Sequence, residues 1–422
     1  MRNTIVTALD PHSATSERRL VERPALPLTG VRRFAGDLGG AYAANGLVGL
    51  IFSCTGPVAV ILAAGASGAL TQAELASWIF GVFFLNGILT IAASWAYRQP
   101  LAFFWTIPGT VVVGGALADL SWPEVIGAFI VSGLVILLLG LTGWVRPVME
   151  ALPMPIVLAM VAGVFLHFGV ELVLAVGVDP AVAVPMVAVF VILSACTPLG
   201  RWMPATLGAL LVGVAATLLA GRFDPGPASG VFARPVFTAP DWSWQAMVEL
   251  VVPLVITVLV VQNGQGVAVL RAAGHHPPIN AATIACGLWS LAASCVGAVS
   301  TCLTGPTNAL LTGSGARARQ YTAGVVCGVL ALVFGVFAPV FVRLMLAMPA
   351  AFVATLGGLA LLRALQTSFT GAFGGRYTMG ALVALLVTVA DVKLLGIGAP
   401  FWGLAVGIAV SWMLERQDWR QC

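Results

Sequence analysis

The chain has 422 residues, of which 59% are hydrophobic and only 9% are charged, and its mean hydropathy is +1.01. This composition excludes an ordinary soluble globular protein, in which about 25% of residues are charged. The net charge of +4 comes from arginines scattered between apolar runs, so it does not indicate a nucleic-acid partner. Since one helical span needs roughly 20 apolar residues, the sequence predicts an all-α polytopic protein of the lipid bilayer.

Residues 1–36 form a polar, arginine-bearing segment before the first apolar run. The segment lacks the apolar core of a secretory signal peptide. Because positively charged segments remain in the cytoplasm, we expect a cytoplasmic N-terminal tail. The seven cysteines show no CxxC pair, so we interpret them as packing residues. The sequence therefore predicts no metal site and no cofactor.

Fourteen predicted transmembrane segments follow the tail. In chain order they are residues 40–65, 72–96, 102–118, 123–144, 152–177, 181–198, 204–221, 245–271, 278–298, 301–313, 320–346, 350–371, 377–392 and 399–415. With this count most loop arginines lie on the side of the N-terminus, as the positive-inside rule requires. The even number of spans places the C-terminus in the cytoplasm too. Residues 222–244, rich in Pro and Gly, are the predicted external linker between two halves.

Short matches occur in the same order in the two halves. VAVILAAG at 58–65 matches VAVLRAAG at 267–274, and TIPG at 106–109 matches TGPT at 304–307. Met-Pro at 154–155 matches Met-Pro at 348–349. Because seven spans is an odd number, the second half is inverted relative to the first. Chance repetition of small apolar residues is the alternative. A 7+7 inverted repeat is typical of secondary transporters with a site near the bilayer midplane.

The third and tenth spans are short and broken. Pro108 and Pro306 lack the N–H group that a helix interior needs, and Thr304, Thr307 and Asn308 bring polar groups to hydrocarbon depth. Interrupted helices are tolerated in lipid only against protein or a water-filled cavity. We interpret both spans as half-helices whose N-termini meet and hold a monoanion by their dipoles. Helix capping is a further role open to Thr307 and Asn308.

The first and eighth spans carry polar kinks just before the matched VAV runs, at Ser53 and Cys54 and at Gln262, Asn263 and Gly264. Adjacent amides in an apolar span are costly unless they bind something. Gln262 and Asn263 are therefore candidate substrate ligands, with a helix-to-helix hydrogen bond as the alternative. The full predicted substrate-binding set is Ser53, Cys54, Thr106, Ile107, Pro108, Gln262, Asn263, Gly264, Thr304, Gly305, Thr307 and Asn308.

Three aromatic residues, Phe103, Phe104 and Trp105, precede the break in the third span. Two interpretations are open for them. They line an apolar slot beside the anion, or they belong to the aromatic belt of a membrane interface.

Acidic side chains are scarce within the predicted spans. Glu171 lies four residues after His167 in the fifth span, so the two share one helix face. This pair is the predicted proton-coupling candidate, and Glu249 and Asp391 are alternatives.

Four motifs together resemble the benzoate/proton symporter family, BenE. They are SCTGPVAVILAAG at 53–65, FFWTIPGTVVVGGAL at 103–117, QNGQGVAVLRAAGHHPPIN at 262–280 and LTGPTNALLTGSGARARQYTAG at 303–324. The resemblance extends over nearly the whole chain after the tail. It implies proton-coupled import of benzoate across a bacterial inner membrane, on an architecture similar to that of uracil permeases.

That architecture implies a core domain, residues 37–144 and 245–346, and a gate domain, residues 145–221 and 350–415. The resemblance implies short extended segments before the half-helices of the third and tenth spans. It places the substrate between these two spans and against Gln262 in the eighth. Nucleobase permeases of this kind often carry an acid at the Gln262 position. Glutamine therefore fits a carboxylate substrate, but it leaves the proton carrier unassigned. Related folds form homodimers through the gate domain.

The sequence thus predicts a secondary active transporter that works by alternating access, and not an enzyme. A transporter of another small anion or of a nucleobase is the alternative on the same fold. A channel is disfavoured, since the polar breaks are isolated and form no continuous path. The sequence has no HExxH motif and no P-loop, which argues against a zinc hydrolase and against an ATP-driven pump.

Overall fold

The computed structural model of the protein describes residues 21–24, 30–145, 147, 153–196, 203–224, 230–313, 315–391, 394 and 399–419. Most of the predicted tail, residues 1–20 and 25–29, lies outside the described residues, and so do residues 225–229 of the predicted linker. The described part is mostly helical, and it contains two short strands.

The elements of the first half follow the predicted apolar stretches, except for α1, which lies at the end of the predicted polar tail. They are α1 (Val31–Asp37), α2 (Gly40–Cys54), α3 (Gly56–Ser67), α4 (Gln72–Tyr97), β1 (Phe103–Trp105), α5 (Ile107–Ala116), α6 (Trp122–Thr142), α7 (Met154–Val178), α8 (Pro180–Ala195) and α9 (Ala205–Leu219).

The second half begins with the long helix α10. Its elements are α10 (Trp244–Ala272), α11 (Ile279–Ser294), β2 (Thr301–Leu303), α12 (Gly305–Leu311), α13 (Tyr321–Val336), α14 (Ala338–Leu346), α15 (Ala350–Phe373), α16 (Thr378–Val389), α17 (Ala399–Leu414) and α18 (Arg416–Trp419).

Helix length and hydropathy make this a polytopic membrane fold. Among the described residues, seven helical stretches are long and apolar enough to cross a bilayer, namely α2 with α3, α4, α6, α7, α10, α13 with the turn before it, and α15. The helices α5, α8, α9, α11, α16 and α17 are apolar but shorter. The count of fourteen spans stays a prediction, because these shorter helices fall below the roughly 20 residues of a full span.

The helices begin and break where the sequence supplies the chemistry. Thr71 with Glu74 and Ser121 with Glu124 form capping boxes at the starts of α4 and α6. The kink predicted near Ser53 is a break at Thr55, whose φ and ψ are −91° and −95°, between α2 and α3. The kink predicted in the eighth span is a π-helical turn, Thr257–Asn263, within α10.

The predicted third and tenth spans are not helical from their first residues, and the extended segments that the resemblance implies before their half-helices are present. Each begins with a three-residue strand, and its helix begins one residue before a proline. Since proline is accommodated in the first turn of a helix and not further along it, Pro108 and Pro306 fix these starts. Strands β1 and β2 pair antiparallel, with Phe103 opposite Leu303 and Trp105 opposite Thr301.

Two sets of helices pack among themselves. Helices α2, α4 and α13 lie together, and α11 packs on α6. Helix α7 packs against α15 and α16, α16 against α17, and α8 against α9. Contacts of α3 with α15 and of α5 with α7 join the two sets. The paired strands lie within the first set, since β1 contacts α4 and β2 contacts α10 and α11.

Polar side chains fix the loops at one end of the bundle. The Glu22 carboxylate accepts hydrogen bonds from the backbone N–H groups of Asn280 (3.2 Å) and Ala281 (2.9 Å) at the start of α11. Gln320 donates to the Thr312 carbonyl (3.0 Å), and its Oε1 lies 2.7 Å from His275 Nε2. Burial lowers the pKa of His275 below its ordinary value, which favours the neutral imidazole. These contacts hold the end of half-helix α12.

Candidate functional site

A cavity lies where the two broken spans meet α2, α3 and α10. Its walls are Phe52, Ser53, Pro57, Phe104, Trp105, Ile107, Gln262, Thr304, Pro306 and Thr307. None of these side chains is charged. The cavity has room for about one water molecule. The cavity is thus small, uncharged and enclosed mostly by apolar groups.

The paired strands bring the starts of the two half-helices together. Thr106 N–H donates to Ser300 O (3.1 Å), and Thr304 N–H donates to Ala102 O (3.1 Å), so both strand ends are tied across the pair. Thr106 Oγ1 also accepts from Gly109 N–H (3.1 Å) and caps α5. The N-termini of α5 and α12 therefore flank one two-stranded sheet.

A polar stripe on α4 holds the outer edge of β1. Thr90 bonds to both N–H and O of Phe103 through its hydroxyl (2.9 and 3.0 Å), and Ser94 does the same to Leu101 (3.1 and 3.2 Å). Asn86 Oδ1 accepts from the Thr301 hydroxyl (2.8 Å). Because buried backbone groups must be paired, this stripe allows strands to exist at membrane depth. Sequence reasoning missed it, although polar residues four apart in an apolar span were the signal.

Two predicted ligands, Asn263 and Asn308, form hydrogen bonds to backbone groups in and beside the strands and do not line the cavity. Asn308 Oδ1 accepts from Ala102 N–H (2.8 Å), and its Nδ2 donates to Thr304 O (2.7 Å). Asn263 Oδ1 accepts from Leu303 N–H (2.7 Å), while its Nδ2 faces Cys286 Sγ at 3.8 Å. Both side chains are buried and neither lines the cavity. Their amides are thus committed to backbone that the broken spans leave unpaired.

Three polar side chains from different elements face the cavity. Ser53 Oγ donates to Gly49 O (2.9 Å) and lies 3.2 Å from Thr307 Oγ1, which joins α2 to α12. Gln262 is 4% exposed, and its Oε1 has no hydrogen-bond partner in the described structure. An orphaned buried amide oxygen costs about 1–3 kcal/mol, so Gln262 is poised to bind a ligand.

The structure distinguishes among the twelve predicted ligands. Ser53, Ile107, Gln262, Thr304 and Thr307 line the cavity. The other seven, which do not line it, are Cys54, Thr106, Pro108, Asn263, Gly264, Gly305 and Asn308. Several of these shape the backbone behind the cavity. Phe52, Pro57 and Pro306 are wall residues that the predicted set lacks, although Pro57 and Pro306 stand inside the quoted motifs.

The aromatic run before the third break is buried. Phe103, Phe104 and Trp105 are each at most 2% exposed, so they do not form a surface belt. Phe104 and Trp105 line the cavity, and the ring of Phe83 lies 5.7 and 5.2 Å from theirs. The slot interpretation therefore matches the geometry for two of the three rings.

The predicted proton-coupling pair lies apart from the cavity. His167 Nε2 is 3.9 Å from Glu171 Oε1 on α7, and the side chains are 74% and 44% exposed. Neither lines the cavity. Of the alternatives, Glu249 is buried in α10 and Asp391 is exposed at the end of α16. No cluster of three or more His, Cys, Asp or Glu side chains suited to a metal occurs in the described ranges.

Comparison with known sequences gives a consistent family. A profile of the BenE family, described as benzoate membrane transport protein, matches residues 38–413. The benzoate membrane transport protein of Acinetobacter baylyi is 30% identical over 375 residues, which cover 88% of this chain and 94% of the relative. The inner membrane protein YdcO of Escherichia coli is 28% identical over 368 residues, covering 86% of this chain and 93% of the relative.

Solved structures share the fold at low sequence identity. The transmembrane domain of the cyanobacterial bicarbonate transporter BicA superposes with a TM-score of 0.56 at 14% identity, covering 88% of this chain and 98% of that domain. The structure of SLC26A9 gives a TM-score of 0.61 at 14% identity, covering 91% of this chain and 67% of that one. At 14% sequence identity the structural similarity is evidence for a shared fold alone. The sequence matches confirm the predicted family: the chain belongs to the BenE family of benzoate membrane transport proteins.

Proposed function

We propose that this protein is a secondary active transporter that imports benzoate or a similar aromatic carboxylate together with a proton. The observation that carries the proposal is the uncharged cavity between the two half-helix starts, with Phe104 and Trp105 on one side and Gln262 on another. The aromatic walls suit a planar ring, and the polar groups suit a single carboxylate. The family assignment supports the same substrate class.

The half-helices supply the attraction for the carboxylate in this proposal. Each helix N-terminus carries about half a positive charge and unpaired N–H groups, and α5 and α12 both begin at the cavity through Ile107 and Thr304. The absence of a basic side chain among the lining residues keeps binding moderate. A substrate held by dipoles alone is released more readily on the inner side than one paired with arginine.

The transport cycle in our proposal is alternating access by an elevator-like movement. The core domain is residues 37–144 and 245–346, the gate domain is residues 145–221 and 350–415, and fourteen spans form a 7+7 inverted repeat. The two sets of packed helices support this division. The small cavity supports it too, because its walls must separate before an aromatic acid can enter. We place both termini in the cytoplasm of a bacterium, with the protein in the inner membrane as a homodimer.

Uptake into proteoliposomes tests the function directly. Purified protein should accumulate radiolabelled benzoate when the outside is acidified, and benzoate should raise its thermal unfolding midpoint in detergent. The flux should saturate with benzoate concentration, whereas a channel gives an ohmic current. A response to sulfate, bicarbonate or uracil with none to benzoate would move the protein to the alternative substrate class.

Gln262→Glu should weaken benzoate binding near pH 7 by about 100-fold. A second negative charge about 5 Å from the carboxylate costs about 3 kcal/mol at an effective dielectric constant near 20, which is on the order of 100-fold in Kd. Titration calorimetry on purified variants measures this loss. Gln265→Glu is the matched control, since Gln265 lies three residues on and is exposed. Equal affinity in the two variants would place the substrate away from Gln262.

Glu171→Gln tests the proposed proton coupling by the Glu171 and His167 pair. We expect the variant to lose accumulation driven by a pH gradient, because the carboxylate that takes up the proton is gone. Exchange of internal for external benzoate at equal pH should continue at the wild-type rate, since exchange needs no net proton movement. If Glu171→Gln still accumulated benzoate under a pH gradient, the Glu171 and His167 pair would have only a structural role. Glu249 would then be the next candidate for the proton carrier.

A further inference from the structure

The Trp105 side chain carries a buried hydrogen-bond donor with no acceptor. The residue is 1% exposed, and its Nε1 has no partner among the described residues. An indole N–H is a donor only. Unlike a hydroxyl group, it therefore cannot be satisfied by a neighbouring donor. Leaving such a donor unsatisfied costs about 1–3 kcal/mol, and the cost is relieved only by a group that brings an acceptor.

The Trp105 ring is held in place by its strand and by neighbouring aromatic rings. Trp105 belongs to β1, where it stands opposite Thr301. Its ring lies 5.2 Å from that of Phe83 and 6.1 Å from that of Phe104, in edge-to-face contacts. Trp105 is also one of the residues that line the cavity. An indole N–H without an acceptor therefore belongs to a residue of the wall around the space that a ligand would fill.

The neighbouring polar groups of the cavity do not compete for this role. The hydroxyls of Ser53 and Thr307 lie 3.2 Å apart and bond to each other, and the Thr304 hydroxyl faces Ala102 O at 3.4 Å. Gln262 Oε1 is the other polar atom of the wall without a partner in the described ranges. The two groups with unused capacity are therefore Trp105 and Gln262.

We propose that the Trp105 indole N–H donates a hydrogen bond to a carboxylate oxygen of the substrate and so selects for acids among planar aromatic compounds. The inference rests on the proposed function. It adds a specificity-determining contact outside the predicted ligand set. Aromatic compounds without an acceptor leave the indole N–H unsatisfied.

Trp78 supplies a matched control within the same chain. Its Nε1 is also buried and without a partner, yet its ring packs against Trp122 and Phe129 and does not line the cavity. Trp78→Phe and Trp105→Phe thus remove the same unsatisfied N–H from two buried sites. Both changes remove the same buried volume together with an orphaned donor, so they should shift the unliganded thermal midpoint by similar amounts.

The test is the affinity of the purified transporter for benzoate. A hydrogen bond to a charged group contributes about 1.5–3 kcal/mol, so Trp105→Phe should weaken Kd by at least about 10-fold, and Trp78→Phe should leave it unchanged. Equal Kd for Trp105→Phe and wild type overturns the inference. If wild type itself does not bind benzoate, the proposed function fails instead.

A measurement on the wild-type protein covers the case in which Trp105→Phe does not fold. With ¹⁵N-labelled tryptophan, one indole N–H resonance should move downfield on adding benzoate, and it should remain in Trp78→Phe. The absence of any downfield shift at saturating benzoate overturns the inference without use of the Trp105 variant.

Discussion

Replacing Gly266 with alanine should reduce the proposed benzoate uptake by roughly 5- to 150-fold, while the protein still inserts and can be purified. Gly266 faces β2 so closely that an added Cβ atom would lie 2.6 Å from the Leu303 carbonyl oxygen and 2.9 Å from Leu303 Cγ. A Cβ atom cannot approach a backbone oxygen to that distance, so the strand must shift. Overpacking of this kind costs about 1–3 kcal/mol, which corresponds to roughly 5- to 150-fold.

The shift acts on the wall of the cavity. Leu303 N–H donates to Asn263 Oδ1 at 2.7 Å, and the next residue, Thr304, lines the cavity and is the N-cap of α12. Moving Leu303 therefore lengthens this hydrogen bond and displaces the start of α12. Initial rates of benzoate uptake in proteoliposomes measure the effect.

Gly115→Ala is the control for the same chemical change. Gly115 lies in α5, and an added Cβ atom there meets nothing within 4 Å. Alanine should be tolerated at this position and slightly favour the helix, by up to about 1 kcal/mol. Uptake by Gly115→Ala should match wild type. If Gly266→Ala also transports at the wild-type rate, α10 and β2 do not hold the cavity wall as the structure places them.

The apolar stretches and their prolines made much of the fold predictable. Pro108 and Pro306 mark the starts of two half-helices because proline cannot sit deeper in a helix, and the structure begins α5 and α12 one residue before them. The cavity residue Gln262 was recognisable because an amide in an apolar span needs a partner. Each of these predictions follows from a local rule that acts within a few residues.

The pairing of β1 with β2 was beyond such rules. Phe103 and Leu303 are 200 positions apart, and a register between two three-residue strands leaves no periodicity in the sequence. The roles of Asn263 and Asn308 depend on that register, because their amides bond to backbone groups of Leu303, Ala102 and Thr304. The sequence alone does not distinguish a buried asparagine that binds a substrate from one that forms hydrogen bonds to the backbone of a strand.

Asn308→Ala should therefore destabilise the protein before it affects substrate recognition. The substitution removes two buried hydrogen bonds, to Ala102 N–H and to Thr304 O, and leaves the Ala102 donor without a partner. Together these losses amount to about 3 kcal/mol. We expect a lower thermal unfolding midpoint in detergent without ligand, and a weaker resistance to unfolding by sodium dodecyl sulfate.

Thr307→Val provides the contrast, because Thr307 is the neighbour of Asn308 and lines the cavity. Its hydroxyl makes one 3.2 Å contact with Ser53, so its loss costs about 1 kcal/mol of stability and should weaken benzoate binding. Measuring both midpoint and Kd for the two variants separates the roles. If Asn308→Ala kept the wild-type midpoint and lost benzoate binding, Asn308 would be a substrate ligand and not the tie between the broken spans. The amide geometry favours the tie, since its oxygen accepts from Ala102 of the third span and its nitrogen donates to Thr304 O at the start of its own helix.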